Sequence, residues 1–196
     1  MKKLYGIICM LLALAGCTAR SGWTEREMEL IDQSDSLMYV NVMPKDSAVL
    51  RAVSVDLGQQ ELQSAQLQTL IAKMLHTVTD PSQDGVGIAA PQVGLNRRIV
   101  CVMRYDKPGE PFEACVNIHI DSLTGPVVRG PEGCLSLPGL RGIVPRSSTV
   151  HISYLTPEGT AVSEQVDGYT AIIFQHECDH LDGILYTDRA DSVFVR

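Results

Sequence analysis

Two histidines four positions apart carry the clearest chemical signal in this chain. His176 and His180 lie in the mainly apolar stretch 167–183, and residues spaced by four lie one helical turn apart on the same face. Glu177 stands between them. This His-Glu-x-x-His spacing is typical of two metal ligands beside a carboxylate that handles a proton. The alternative is a helix whose histidines point to water or form hydrogen bonds in the core.

A buried helix is expected to position these groups. Apolar residues cover most of the circumference between Asp167 and Gly183, which predicts burial. Asp167 is expected to cap the first free amides, and Gly183 to end the helix in a left-handed turn. Buried ionisable side chains are costly unless they are paired or bind a metal. The apolar setting therefore favours the metal interpretation.

A further candidate ligand lies upstream. Cys134 is in residues 131–139, a segment interrupted by Gly and Pro where a thiolate can face a cation instead of packing in a core. A buried core cysteine is the alternative. Cys101, Cys115 and Cys178 lack the spacing of a disulfide scaffold. Cys101 and Cys115 are therefore interpreted as buried thiols, although they lie in consecutive strand-like runs.

The remaining segments predict an α+β domain. Mixed or antiparallel strands would pack around one buried C-terminal metal-binding helix, with an N-terminal amphipathic helix. The predicted helices cover residues 24–36, which open with a capping box, and residues 59–78. The predicted strands cover residues 37–43, 98–104, 112–120, 149–155 and 160–166.

Composition narrows the classes of function. The 196 residues are 45% hydrophobic and 20% charged, as expected for one globular domain. The net charge of −7, without a Lys/Arg cluster in the body of the chain, argues against a nucleic-acid partner.

The N-terminus resembles a targeting segment. Lys2 and Lys3 precede the apolar run 4–15, which is too short to span a membrane stably as a helix and suits a signal peptide. Leu14-Ala-Gly-Cys17 resembles a bacterial lipobox. The predicted organisation is therefore a signal peptide at 1–16, a tether lipidated on Cys17 with a short helical extension to 43, and a catalytic domain at 44–196. This predicts a membrane-anchored lipoprotein on the outer or periplasmic side of a bacterial membrane. An internal start at Met38 or Met43 would instead give a cytoplasmic protein.

Three stretches together resemble the peptide deformylase family in order and spacing. They are Gly85-Val-Gly-Ile-Ala-Ala-Pro-Gln92, Glu132-Gly-Cys-Leu-Ser136 and Gln175-His-Glu-Cys-Asp-His180. The resemblance extends from about residue 43 to residue 186. It implies a hydrolase that removes the formyl group from N-formylmethionyl peptides. It also implies one divalent metal on Cys134, His176 and His180, with ferrous iron expected and zinc, nickel or cobalt as alternatives.

The resemblance also assigns the catalytic roles. Metal-bound hydroxide attacks the formyl carbon, and Glu177 acts as general base and then as general acid. The Gln92 side chain and the Leu135 backbone N–H would stabilise the oxyanion.

The same resemblance places the substrate. The peptide would lie as an added strand beside Val86, Gly87 and Gly133, where a side chain at 87 would obstruct its approach. The pocket for the methionine side chain would be lined by Val86, Tyr169, Ile172 and Ile173. Asp179 is expected to pair with Arg146.

Two rival functions stay open at this point. One is a zinc peptidase, whose third ligand would have to come from Asp182, Asp188 or Asp191. The other is a non-catalytic, lipid-anchored protein that captures formyl peptides. An enzyme outside the inner membrane could not reach nascent chains, so released formylmethionyl peptides are the expected substrate. The catalytic domain is expected to be a monomer.

Overall fold

The computed structural model describes residues 22–83 and 85–195. The helices are α1 (Glu25–Ile31), α2 (Ser47–Leu50), α3 (Gln59–Leu62), α4 (Ala65–Thr79) and α5 (Gly168–Leu181). The strands are β1 (Gly87–Ala89), β2 (Ile99–Met103), β3 (Phe112–Glu132), β4 (Leu140–Leu155), β5 (Ala161–Asp167) and β6 (Ser192–Val195). Short 3-10 helices cover Ala90–Val93 and Tyr186–Asp188. The predicted signal peptide at 1–16 and the predicted lipidation site Cys17 lie outside the described residues.

One antiparallel sheet organises the domain, in the order β1-β2-β3-β4-β5. The long strand β4 pairs with β6 at residues 140–143 and with β5 at residues 149–155. Strand β1 pairs only with β2 among the described residues, so its outer edge is free. An edge of this kind can accept an extended peptide as an added strand.

Helix α5 packs against this sheet through its apolar side chains. Ala171, Phe174 and Leu181 are fully buried in one core cluster with Val100 and Val150. Helix α4 covers a second cluster. This arrangement confirms the predicted α+β class, with an antiparallel sheet and a late buried helix.

The ends of α5 match the prediction only in part. Asp167 occupies the N-cap position but makes no capping hydrogen bond, because its carboxylate instead accepts from Thr149 Oγ1 at 2.6 Å. Gly183 has the predicted left-handed conformation, with φ of +71°. A Cβ there would lie 2.5 Å from the carbonyl oxygen of Arg51, so a glycine is required.

Several predicted elements differ from the structure. The helix predicted at 24–36 ends at Ile31, and the strand predicted at 149–155 begins already at Leu140. The strand predicted at 37–43 is wrong, because the amides of Asn41 and Met43 donate to the carbonyls of Gln92 and Ser136 rather than to a sheet neighbour. The helix predicted at 59–78 is divided between α3 and α4, where Ser64 caps α4. Strand β3 extends beyond residue 120 because it pairs with β4 as far as Glu132.

Helix α1 packs against the rest of the domain and is held there by an ion pair. Its predicted capping box between Thr24 and Glu27 is present, and Ile31 is completely buried. Glu27 accepts a hydrogen bond at 2.6 Å from Arg97, which also pairs with Glu61 at 3.1 Å. The described part of the predicted N-terminal extension therefore packs against the domain. Within the described residues, no helix combines the length and apolar content needed to cross a bilayer.

Among the described residues, the three cysteines outside the candidate site are free and buried. Cys115 pairs in register with Val100, next to Cys101, so the two thiols point to opposite faces of the sheet. They belong to separate core clusters, as expected for buried thiols that do not form a disulfide.

Candidate active site

Helix α5 and the loop before β4 bring three candidate metal-ligating side chains together. The candidate ligand atoms of Cys134, His176 and His180 all lie within 4.8 Å of one another. Cys134 Sγ is 3.2 Å from His180 Nε2. The two imidazole centroids are 5.1 Å apart, as their spacing on one helix face requires.

The chemistry of these donors fits a divalent metal. Sulfur and nitrogen ligands on one tetrahedral ion lie about 3.5 Å apart, close to the separation between Cys134 and His180. Burial opposes ionisation of the Cys134 thiol, but the neighbouring imidazoles of His180 and His176 hold its pKa well below its usual range. His180 Nδ1 and Glu177 Oε2 are buried without a hydrogen-bond partner among the described residues. A thiolate with two imidazoles suits zinc, iron, nickel or cobalt.

Glu132 orients one of these ligands. His176 Nδ1 lies 2.8 Å from Glu132 Oε2, so its N–H donates to the carboxylate and the other ring nitrogen is left for a metal. Arg146 donates to Glu132 at 2.8 Å and to Asp179 at 2.6 Å, which gives the predicted Arg146–Asp179 pair. No role was predicted for Glu132 from the sequence. Its position two residues before Cys134 was the available signal.

Glu177 lies beside the ligands in a nearly dry environment. Its side chain is on the same helix and the residue is only 4% exposed. Burial raises the pKa of Glu177 to about 7, although the imidazoles of His176 and His180 act in the opposite direction. A carboxyl group with a pKa near neutrality can both accept and return a proton.

Gln92 presents its amide nitrogen to the site. Its Oε1 accepts a hydrogen bond from Ala89 N at 2.8 Å, which fixes the orientation of the side chain. Nε2 consequently lies 3.3 Å from Ser136 Oγ and 3.6 Å from Cys134 Sγ. The Leu135 N–H has no acceptor among the described residues. The Leu135 N–H is therefore available to a substrate, whereas the amide hydrogens of Gln92 would have to exchange a contact with Ser136 Oγ or Cys134 Sγ for one with the substrate.

A cavity of about 490 Å³ opens beside this cluster. Ile173 is buried within it, whereas Tyr169 is half-exposed at the rim. His180 does not line the cavity and lies behind the other ligands. The cavity includes every predicted substrate-binding residue: Val86, Gly87, Gly133, Tyr169, Ile172 and Ile173. It also includes Arg141, for which no role was predicted from the sequence.

Gly87 is required for a reason that the sequence alone did not reveal. A Cβ at this position would overlap Glu177 Oε1 and would lie 2.9 Å from Ile173 Cγ2. The glycine thus allows β1 to pack closely against α5 at the candidate catalytic carboxylate. The absence of a side chain at position 87 would also leave room for a substrate strand.

Replacing Gly87 with alanine is expected to destabilise the protein and displace Glu177. Overpacking of this kind typically costs about 1–3 kcal/mol. A misplaced catalytic group can also lower the rate about 100-fold. Thermal unfolding and kcat measure the two effects. Gly130→Ala is the matched control, because a Cβ on Gly130 meets no atom within 4 Å. Equal behaviour of the two variants would contradict this packing role.

The carboxylates proposed as a third peptidase ligand point elsewhere. Asp182 pairs with Arg98 at 2.7 Å, Asp191 pairs with Arg129 at 2.8 Å, and Asp188 forms an ion pair with Arg51. Among the described residues, none of them belongs to a group that could hold a metal. Cys134, in contrast, lies with His176 and His180 in the candidate metal-binding group.

Comparison with known proteins identifies relatives. Residues 39–194 match the family described as polypeptide deformylase. A peptide deformylase of Leptospira biflexa serovar Patoc is 38% identical over 151 residues, which cover 74% of this chain and 83% of that protein. Another from Symbiobacterium thermophilum is 43% identical over 125 residues, or 63% of this chain and 57% of that protein.

Solved structures of peptide deformylases are also similar to this chain. A class I type b peptide deformylase from Acinetobacter baumannii aligns with a TM-score of 0.72 and 36% identity, covering 78% of this chain and 98% of that chain. A peptide deformylase from Synechococcus elongatus in complex with actinonin aligns with a TM-score of 0.72 and 30% identity, covering 82% and 84%. The same Acinetobacter enzyme has been solved with Met-Ala-Ser bound, at a TM-score of 0.70, 35% identity and coverage of 78% and 98%. Because the family match spans most of the folded region and the three candidate ligands converge within it, this chain belongs to the polypeptide deformylase family.

Proposed function

We propose that this protein is a metal-dependent peptide deformylase, a hydrolase that converts N-formylmethionyl peptides and water to formate and the free amine. The observation that carries the proposal is the convergence of Cys134, His176 and His180 beside buried Glu177, at the wall of a cavity next to the free edge of β1. A metal is part of the proposal because these donors fit one. A divalent ion held there would act as a Lewis acid that acidifies water and polarises the formyl carbonyl.

The proton transfers and the contacts with the substrate are assigned to residues of this chain. Glu177 takes a proton from the attacking water as the water oxygen bonds to the formyl carbon. It then delivers that proton to the methionine nitrogen as the carbon–nitrogen bond breaks. The Val86 and Gly87 backbone would pair with the peptide, while Ile172 and Ile173 enclose the methionine side chain.

Gln92 and Leu135 would stabilise the negative charge on the formyl oxygen. Their N–H groups border the cavity, and fixed donors in a dry site need no reorganisation during the reaction. We expect Gln92→Ala to lower kcat by about 10²–10³-fold. Steady-state kinetics on formyl-Met-Ala measure this loss. Exposed Gln165→Ala serves as a control, and a kcat for Gln92→Ala close to that of the control would contradict the assignment.

Deformylation of formyl-Met-Ala, before and after metal removal, tests the proposed function. The protein should release formate, lose activity on chelation and regain it when a divalent ion is returned. Metal binding should also raise the thermal midpoint, since an ion that binds only the folded chain stabilises it. A folded, metal-loaded protein that binds formyl peptides without hydrolysing them would favour the binding-protein alternative.

For the native ion we propose ferrous iron. The cysteine and histidine donors accept several divalent metals, and the resemblance to peptide deformylases favours iron among them. Anaerobic purification followed by metal analysis tests this, with about one iron per chain expected. Zinc in place of iron in freshly prepared anaerobic protein would contradict the proposal.

We further propose that the mature protein is a lipid-anchored monomer outside the inner membrane, acting on released formylmethionyl peptides. The support is the charge and apolar pattern of residues 1–16 and the lipobox-like sequence ending at Cys17. Membrane fractionation of wild type and Cys17→Ala, with lipid labelling, tests the anchor. Recovery of the wild-type protein only from the soluble cytoplasm would overturn it. Light scattering of the solubilised protein tests the monomer.

A further inference from the structure

The starting observation concerns Arg141, at the beginning of β4. This side chain lines the candidate active-site cavity, and no other lysine or arginine among the described residues does so. Neighbouring arginines are neutralised: Arg146 and Arg189 pair with Asp179, and Arg98 pairs with Asp182. Arg141 has no carboxylate partner in residues 22–83 and 85–195. The Arg141 guanidinium thus faces the cavity without an ion-pair partner among the described residues.

The position of the guanidinium is set by Gly133. A Cβ built on Gly133 would overlap Arg141 Nη1, and the Cζ and Cδ atoms of Arg141 would lie 2.5 Å and 3.0 Å from it. Arg141 therefore fills the space that a side chain at position 133 would occupy. The Arg141 side chain, which comes from β4, thus packs against the loop that carries Cys134.

This placement defines what Arg141 can reach. The proposed function places the formyl peptide as an added strand beside Gly133. Directly opposed side chains of neighbouring strands lie about 4.5–5.5 Å apart at Cβ. In that arrangement, the Arg141 guanidinium would take the place of the cross-strand neighbour to the peptide residue opposite Gly133. A negative group on that residue, or immediately after it, would be within reach of the guanidinium.

Acidic side chains also line the cavity, so the positive charge of Arg141 affects which ligands the cavity can bind. The chain has a net charge of −7, and Glu132 and Glu177 also line the cavity. An anionic ligand would be disfavoured there without a compensating cation. Arginine can bind a carboxylate through two parallel, charge-assisted hydrogen bonds. The α-carboxylate of a short peptide matches this geometry, whereas a longer chain presents a neutral peptide bond at the same place.

We propose that Arg141 is a specificity-determining residue that binds the free α-carboxylate of formylmethionyl dipeptides and tripeptides. The substrate class is therefore short, released formyl peptides. This inference rests on the proposed deformylase function and goes beyond it, because it assigns the recognition of the far end of the substrate to one side chain.

Paired substrates provide the test. Kinetics are measured for formyl-Met-Ala and formyl-Met-Ala-Ser and for their C-terminal amides, with fully folded, metal-loaded protein. Wild type should show a KM about tenfold lower for the acids than for the amides, the size expected of a partly exposed charge-assisted hydrogen bond, with similar kcat. Arg141→Gln should raise KM for the acids until the ratio of the amide KM to the acid KM is close to one. Arg141→Lys should keep part of the preference because it keeps the charge.

Two controls separate recognition from structure. Arg129→Gln removes an exposed arginine outside the cavity and should retain the acid preference. A formyl hexapeptide places its carboxylate about 10 Å farther along the strand and should show no difference between acid and amide. High salt should weaken the preference for the short acids.

The outcomes are distinguishable. A wild-type enzyme that treats short acids and amides equally, or an Arg141→Gln variant that weakens both equally, overturns the role of Arg141 and leaves the deformylase function intact. Failure of wild type to deformylate every substrate overturns the proposed function and this inference with it.

Discussion

Replacing Glu177 with glutamine is expected to lower kcat for formyl-Met-Ala by about 10²–10⁴-fold, the usual contribution of a positioned acid or base. The amide has nearly the same volume as the carboxyl group but cannot take a proton from water and return it. Glu177 is buried beside the three candidate ligands without being one of them. The variant should therefore retain its metal and bind substrate with a similar KM.

Metal content, KM and kcat should be measured on the same preparation. Glu158→Gln, in the exposed turn between β4 and β5, is the matched control and should behave as wild type. If Glu177→Gln kept kcat within about threefold of the control, another group would have to carry the proton, since general acid–base catalysis contributes more than this. A loss of metal from Glu177→Gln would instead assign the residue a structural role in the cluster.

Replacing Cys134 with serine is expected to weaken metal binding by at least about 100-fold, since altering even an outer partner of a ligand costs 10–100-fold. The hydroxyl is a poor substitute because the site provides a thiolate: the pKa of Cys134 is held well below its usual range by His180 and His176 against the opposing effect of burial. Activity should fall with metal content. Elemental analysis and deformylation of the same sample measure both.

Cys115→Ala provides the comparison for this variant. Its thiol is buried in the sheet and lies outside the candidate metal cluster. We expect this control to hold about one metal per chain and to remain active. A Cys134→Ser protein that keeps its metal would revive the peptidase alternative, in which an aspartate supplies the third ligand. Circular dichroism of both variants confirms that the comparison is made between folded proteins.

The sequence by itself determined the types of group in the site. The four-residue spacing of His176 and His180 fixes their common helix face, because the helical period depends on backbone geometry alone. The apolar residues around them predicted a buried helix, and Gly183 marked its end. These features are local, so they can be predicted from residues near each other in the chain.

Only the tertiary structure decided which distant groups meet. Cys134 reaches His180 because antiparallel pairing of β3 with β4 places its loop over α5, and the sequence does not specify that register. Long-range contacts also explain why residues 37–43 do not form the predicted strand. Amides of this segment donate to the backbone carbonyls of Gln92 and Ser136 instead of to a neighbouring strand. The overlap of Arg141 with the side-chain space of Gly133 likewise arises from contacts between separate segments. Local periodicity determines which face a residue occupies, but long-range packing determines what that face contacts.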